Sequence, residues 1–301
     1  MIIEATSLGP ADLAAIAELE QRVVEADGGR LKLEWPALRH RNGDVVQDLL
    51  WWEDGRLLGF AGIYGDREEP EIAGMVDPAA RRRGIGTALV TRADELARRH
   101  GAREVLLVVA RTTGAGAAFA AGLGGVHDHS EHSLVLRSAP DTRRRAGSVS
   151  LREAGPEDNE LTLALLAAGF GRGRAPSLEL APGERRLVIE HEGEPVGTMR
   201  VDLDPAAGDQ SSAGIYGFTV VPERRGRGIG GEALRQVCAG LIDGEVAEVH
   251  LEVDVANESA LGLYTSLGFV LRATEDYYTL PPVGRVGRRS TRAQGGGGPE
   301  R

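Results

Sequence analysis

Residues 218–231 read F-T-V-V-P-E-R-R-G-R-G-I-G-G. Phe218 to Val221 are apolar and mostly β-branched, the composition of a buried strand. Pro222 ends that strand because it has no N–H to give a ladder. Arg225 to Gly230 turns sharply, and a helix follows with Leu234, Val237, Cys238 and Leu241 at i, i+3, i+4 and i+7. Glycines let a backbone approach a ligand closely and turn several N–H groups into one concavity. The start of a helix adds the positive end of its dipole, and Arg225 and Arg227 add full charges. Such a place suits a pyrophosphate.

Two motifs fit this loop. Gly226, Gly228 and Gly231 match G-x-G-x-x-G, and Glu252 lies 21 residues after Gly231 (252 − 231), near where a ribose-binding acid would stand. That fingerprint opens directly off a strand, however, and here Pro222 to Arg225 intervene. The other motif is R-x-x-G-x-G, carried by Arg225, Gly228 and Gly230 after V-x-P at Val220 to Pro222. It resembles the acyl-CoA pyrophosphate loop of the GNAT superfamily of N-acetyltransferases.

The loop occurs twice. Residues 76–86 read V-D-P-A-A-R-R-R-G-I-G, and Arg81, Gly84 and Gly86 precede Arg225, Gly228 and Gly230 by 144 residues (225 − 81). This copy has Arg82 where the dinucleotide pattern needs its first glycine, so the shared element is the R-x-x-G-x-G one. Further on, Glu248 to Val255 alternates as a strand, Asn257 follows, and Ala260 to Phe269 reads A-L-G-L-Y-T-S-L-G-F. The order of strand, asparagine, tyrosine-bearing helix and L-G-F again resembles the GNAT pattern.

The duplication extends over the chain. Pro10-Ala11-Asp12 and Pro156-Glu157-Asp158 each open a helix, and Asp54-Gly55 and Glu192-Gly193 each sit between two strand-like runs. Glu104 matches Glu248, Leu107 matches Leu251 and Leu123-Gly124 matches Leu267-Gly268 at the same offset. The expected organisation is a domain at 1–138, closed by a strand at 127–136, a linker at 139–148, a second domain at 149–280 and a disordered Gly- and Arg-rich tail at 281–301. Each domain is expected to be α/β (mixed α+β), a mixed, mostly antiparallel sheet flanked by helices.

Composition narrows the function classes. The formal charge of −10 argues against a nucleic-acid partner, which needs a basic surface. Cys238 is the one cysteine, so no disulfide framework exists within the chain. It is expected to be a small core residue. No apolar run has membrane-spanning length and no signal peptide is evident, so a soluble cytoplasmic protein is expected without a membrane partner. His127, His129 and His132 form H-D-H-x-x-H, but no second ligand cluster accompanies them, and no metal is expected.

The resemblance implies acetyl-CoA as acyl donor, lying where two central strands splay apart, here Ile215 to Val221 and Glu248 to Val255. It implies cofactor contacts from Phe218, Thr219, Val220, Arg225, Gly226, Arg227, Gly228, Ile229, Gly230, Gly231 and Asn257. In the first half the corresponding candidates are Val76, Arg81, Arg83, Gly84, Ile85 and Gly86. Transfer to an amine needs a free amine, a stabilised oxyanion and a proton for the departing thiolate. Tyr264 falls on the superfamily's tyrosine and is the candidate acid. Asn257 can also cap its helix.

Many relatives carry a base Glu on the strand before the loop. Residues 214–217 read G-I-Y-G, and Glu252, Asp254, His250 and Asp202 stay open as candidates. At the constant offset Tyr264 falls on Ala120 and Asn257 on Thr113, so the first half is expected not to turn over. The expected function is acetyl-CoA-dependent N-acetylation of a small-molecule or peptide amine. Alternatives are a mycothiol synthase-like acetylation of a cysteinyl amino-sugar and a non-catalytic acyl-CoA sensor. The acceptor is expected against the first helix and the loop after it at 169–182, together with the region near Tyr277.

Overall fold

The computed structural model describes residues 1–282 except 42, 66, 113, 142–148, 171–177, 179, 181–182 and 205–210. Most of the expected linker, the tail from residue 283, most of the 169–182 loop and Thr113 therefore lie outside the described residues. The first half runs β1 (Ile2–Ala5), α1 (Pro10–Asp27), α2 (Trp35–Arg39), β2 (Asp48–Glu53), β3 (Arg56–Gly65), β4 (Pro70–Val76), α3 (Ile85–Arg99), β5 (Leu106–Ala110), α4 (Gly114–Gly122) and β6 (Val126–Leu136). The second runs β7 (Val149–Glu153), α5 (Asn159–Phe170), β8 (Glu184–His191), β9 (Glu194–Asp204), β10 (Ser212–Val220), α6 (Ile229–Asp243), β11 (Glu248–Asp254), α7 (Glu258–Ser266) and β12 (Val270–Thr279). The short helix α2 has no signal in the sequence reading.

Local chemistry explains the repeated elements. Asp54 and Gly55 both have positive φ (49° and 74°), as do Glu192 and Gly193 (57° and 83°). Turns of that hand match the twist of a hairpin. On α6, Leu234, Val237, Cys238 and Leu241 are all buried, as the helical spacing requires. On α1, Ile16 and Leu19 are fully buried against the other face of the first half. Each such side chain contributes about 1.5–3 kcal/mol on leaving water.

All twelve described strands form one sheet, ordered β1-β2-β3-β4-β5-β12-β6-β11-β10-β9-β8-β7. Only β4·β5 and β10·β11 are parallel, each joined by a helical crossover. The sheet is thus mixed and mostly antiparallel, with helices on its faces. The centre differs from the sequence reading. The strand expected to close the first half, β6, pairs with β11 and β12, while β12 pairs with β5. The two halves exchange their closing strands. Residues of β6 and β12 correspond at the offset of 144, and Glu131 pairs with its own counterpart Glu275. A local two-fold axis therefore passes between those two carboxylates.

Both parallel pairs part early. β10 and β11 stay in register only from Ser212↔Glu248 to Ile215↔Leu251, and β4 and β5 only at Glu71↔Leu106 and Ile72↔Leu107. Beyond Ile215, β10 bulges between Tyr216 and Thr219, with Gly217 at φ 56°. β4 pairs with β3 without a register shift: one residue separates Ala73 from Met75, where two separate their counterparts Tyr216 and Thr219 on β10. A bulge that needs positive φ is open to glycine and costly to alanine.

Candidate active site

The two loops have the same backbone. Gly228 (φ 78°, ψ 0°) and Gly84 (φ 82°, ψ 0°) are the left-handed residues before α6 and α3. Two positions earlier, Gly226 (φ 73°) and Arg82 (φ 64°) are also left-handed. The second half therefore holds this geometry with glycine where the first half carries the strain of a side chain. A Cβ on Gly230 would lie 3.1 Å from Phe218 Cζ, one on Gly231 3.3 Å from Leu263 Cδ1, and one on Gly86 3.4 Å from Phe119 Cζ. These glycines let the helices sit down on the strand and on their neighbour. Ile229 and Ile85 are buried, so each loop presents backbone N–H groups at these positions.

The motif arginines act on the loop itself. Arg225 Nε donates to Val220 O (2.8 Å) and Nη2 to Gly169 O (2.8 Å). Arg81 Nε donates to Val76 O (3.3 Å), and its other nitrogens grip Asp27 (2.8 and 2.6 Å). Each thus fastens the strand end to the first helix of its half. Arg83 pairs with Glu53 (2.7 Å), whereas its counterpart Arg227 is exposed and, among the described residues, makes only a 3.5 Å contact to Glu223 O. The hairpin turns Asp54-Gly55 and Glu192-Gly193 correspond at an offset of 138, so the counterpart of Glu53 is His191 (53 + 138), which is not an acid. The second loop therefore keeps more positive charge for an anion.

Tyr264 stands on α7, 7% exposed, between Phe218 and Phe269 (ring centroids 6.5 and 6.0 Å). Burial pushes its phenol up to about 12, so it carries its proton at neutral pH. Asn257 caps α7, its Oδ1 accepting from Ala260 N at 3.1 Å. At the place of Tyr264 the first half has fully buried Ala120.

Strand alternation divides β11. Leu251 and Val253 join the core that contains Tyr264, so His250 and Glu252 face the other side. Glu252 is the first residue past the last paired position, at the mouth of the gap. Tyr216 lies beside it, its hydroxyl 3.5 Å from His250 Nε2. Burial lowers His250 to about 4, leaving a neutral imidazole. A Cβ on Gly214 would fall 2.4 Å from the Tyr216 ring, so this strand has no room for the base Glu of many relatives. Asp254 is exposed and holds Ala256 N (2.7 Å). Asp202 pairs opposite Gly214 on β9 and is pushed up by burial. Of the open candidates, Glu252 alone combines the gap mouth with a charged carboxylate: burial works against its charge, but Lys32, which also donates to it, and Arg30 together bring it below its ordinary value.

The first half completes this face. Lys32 Nζ lies 2.9 Å from Glu252 Oε2, 3.2 Å from Glu71 Oε2 and 3.7 Å from Glu131 Oε2, and donates to the Tyr277 hydroxyl. Tyr277 in turn donates to Glu131 (2.6 Å). Arg30 donates to Ser133 Oγ (3.1 Å) and stands 3.9 Å from Glu252 and 3.7 Å from Glu275. The sequence reading missed Arg30, Lys32 and the inward acids of β4, β6 and β12. One signal was available: Lys32 is the only lysine in a chain of 35 basic residues.

Glu275 is 1% exposed, and among the described residues neither oxygen has a hydrogen-bond partner. Burial raises it to about 7 despite Arg30. A carboxyl raised in the folded state favours folding while protonated. That contribution is complete below the ordinary value of 4.5 and is lost as pH rises through about 7, roughly 3 kcal/mol in all. Glu275→Gln is expected to melt several degrees higher than the parent at about pH 8 and close to it at about pH 4. Thermal melts across that range check this.

In the first half a cavity of about 640 Å³ runs from Gly84 and Gly86 past Val76 and Phe119 to Leu31 and Lys32. His129 stacks on Tyr277 (4.2 Å), His127 contacts Ser130 Oγ (2.9 Å) and His132 contacts Thr274 Oγ1 (2.9 Å). Among the described residues no helix is long and apolar enough to cross a membrane.

A family model described as the Acetyltransferase (GNAT) family matches residues 12–124 and 128–269. A mycothiol acetyltransferase of Kineococcus radiotolerans is 30% identical over 89% of this chain and 93% of its own length. One from Thermobispora bispora is 29% identical over 86% and 93%. The fold is shared with a GCN5-related N-acetyltransferase from Sphaerobacter thermophilus (TM-score 0.74, 24% identity, covering 94% of this chain and 97% of that one). It is also shared with a tandem GNAT protein from the clavulanic acid biosynthesis pathway (TM-score 0.65, 17% identity, covering 93% and 97%).

Proposed function

This chain belongs to the acetyltransferase (GNAT) family, and from that premise we propose that its second half moves an acetyl group from acetyl-CoA to a primary amine. The observation that carries the reading is the gap beyond Ile215 and Leu251, with Tyr264 on one face of the sheet and Glu252 on the other. The residues fit the donor. The unpaired edge of Phe218 to Val220 offers N–H and C=O groups to an amide-bearing arm. The left-handed glycines and the start of α6 form a cradle for a pyrophosphate, with Arg227 at its rim. When bound, acetyl-CoA supplies an activated thioester.

The chain's own groups divide the remaining work. Glu252 attracts the acceptor's ammonium and takes its proton as the amine attacks directly. A backbone N–H at Val220 or beside it faces the developing oxyanion. Tyr264 supplies the proton for the thiolate. The division of labour between residues 1–138 and 149–280 belongs to the same proposal: the first half retains a cavity suited to acyl-CoA but has alanine in place of the acid.

A mycothiol acetyltransferase-like substrate is favoured by the relatives that share this chain's tandem length. The test is release of CoA from acetyl-CoA with a panel of amines that includes a cysteinyl amino-sugar. Turnover is expected, and preference for the amino-sugar would establish the narrower substrate. Tight acetyl-CoA binding without turnover on any amine would leave a sensor. The cytoplasm is the proposed location.

A further inference from the structure

We propose that Lys32 is a positioning residue of the second half's active site, by which the first half reaches across the sheet and holds Glu252 toward the acceptor. The proposal rests on the reading of Glu252 as base given above.

Three observations carry it. The chain uses arginine at every basic position but one. That one lysine is 7% exposed and meets oxygens of Glu252, Glu71, Glu131 and Tyr277 from β11, β4, β6 and β12. A compact ammonium can serve oxygens arranged around a point, whereas a planar guanidinium fork cannot. The counterpart of Glu252 is Val108 and, by the matching pairings with β5 and β11, that of Glu71 is Gly214, so the ionic arrangement does not repeat in the other half and is a departure from the duplicated plan.

The electrostatics give Lys32 its task. Glu252 is surrounded by other acids: Glu34 from the segment after α1, Glu71 from β4, Glu131 from β6 and Glu275 from β12. The opposing cations are Lys32, Arg30 and, nearer His250, Arg272, while Tyr216 and Tyr277 are neutral phenols. Burial disfavours charge on Lys32, but Glu252, Glu71, Tyr277 and Glu131 together outweigh it and keep its ammonium well above the ordinary lysine value. It is a fixed cation and no nucleophile. Without it, repulsion among four neighbouring carboxylates would drive a proton onto Glu252, and the group could no longer receive one from the acceptor.

The test uses the full chain with Lys32→Met, Lys32→Arg and Glu252→Gln, following kcat/KM for the acceptor from about pH 4 to about pH 8, a range that contains the limb of a carboxylate held below its ordinary value. In Lys32→Met the acidic limb is expected to move up by about one unit or more, so that activity falls roughly tenfold further at the acidic end than at the alkaline end. Lys32→Arg keeps the charge, so its limb stays in place while kcat drops severalfold. A parental pH profile in Lys32→Met overturns the proposal. If that variant does not fold, parental kcat in Lys32→Arg overturns it. Full activity in Glu252→Gln would instead overturn the reading of Glu252 as base. An inactive Glu252→Gln beside a parental Lys32→Met profile would remove Lys32 alone.

Discussion

Tyr264→Phe is expected to lower kcat by about a hundredfold or more while leaving acetyl-CoA affinity within about twofold. Phenylalanine keeps the ring between Phe218 and Phe269, so the core of the second half stays packed and only the hydroxyl is lost. Burial holds the phenol at about 12. A thiolate with an ordinary value near 8.5 cannot take that proton freely, since the difference of about 3.5 units amounts to roughly 5 kcal/mol. The proton therefore has to move as the carbon–sulfur bond breaks, or stay in a hydrogen bond that strengthens in the transition state. Steady-state kinetics with calorimetric titration of acetyl-CoA separate lost chemistry from lost binding. Unchanged kcat would exclude Tyr264 as the acid.

Glu252→Gln is expected to lower kcat/KM by about a hundred- to a thousandfold, since general bases contribute in that range. The amide keeps the shape of the carboxyl and can still face Lys32 with its oxygen, but it can no longer receive a proton. Lys32 retains Glu71 and Glu131, so the fold survives with a lower melting temperature. Because Glu252 lies on the face opposite the Tyr264 core, acetyl-CoA binding should persist. Rates across pH with the acceptor saturating, and the same titration of acetyl-CoA, check both statements. Activity within tenfold of the parent would move the base elsewhere, with neutral His250 the next group at the gap.

The asymmetry between the halves grows out of single substitutions in a repeated plan. β10 carries a bulge at Gly217 that β4 lacks, and Tyr264 stands where the first half has Ala120. Arg227 stays exposed where Arg83 is neutralised by Glu53. Each difference supports the proposal that the second half is the catalytic one.

Sequence alone determined what depends on local spacing. The loops were legible because left-handed positions before a helix demand glycine, and α6 because four apolar residues share one face. The Asn257 cap and the tyrosine on α7 were legible for the same reason, as was the duplication at a constant offset. Tertiary structure decided the rest. β6 and β12 descend from the same strand of the repeat and offer equivalent edges, so hydrogen bonding by pattern alone cannot say which half each one completes. Their exchange brings Glu131 and Glu275 together on the local axis and sets Glu252 beside them. The carboxylates that matter come from four strands, and their cations come from a stretch without periodicity. Their effect depends on distances of a few ångströms between residues up to 245 positions apart, and that information exists only once the chain has folded.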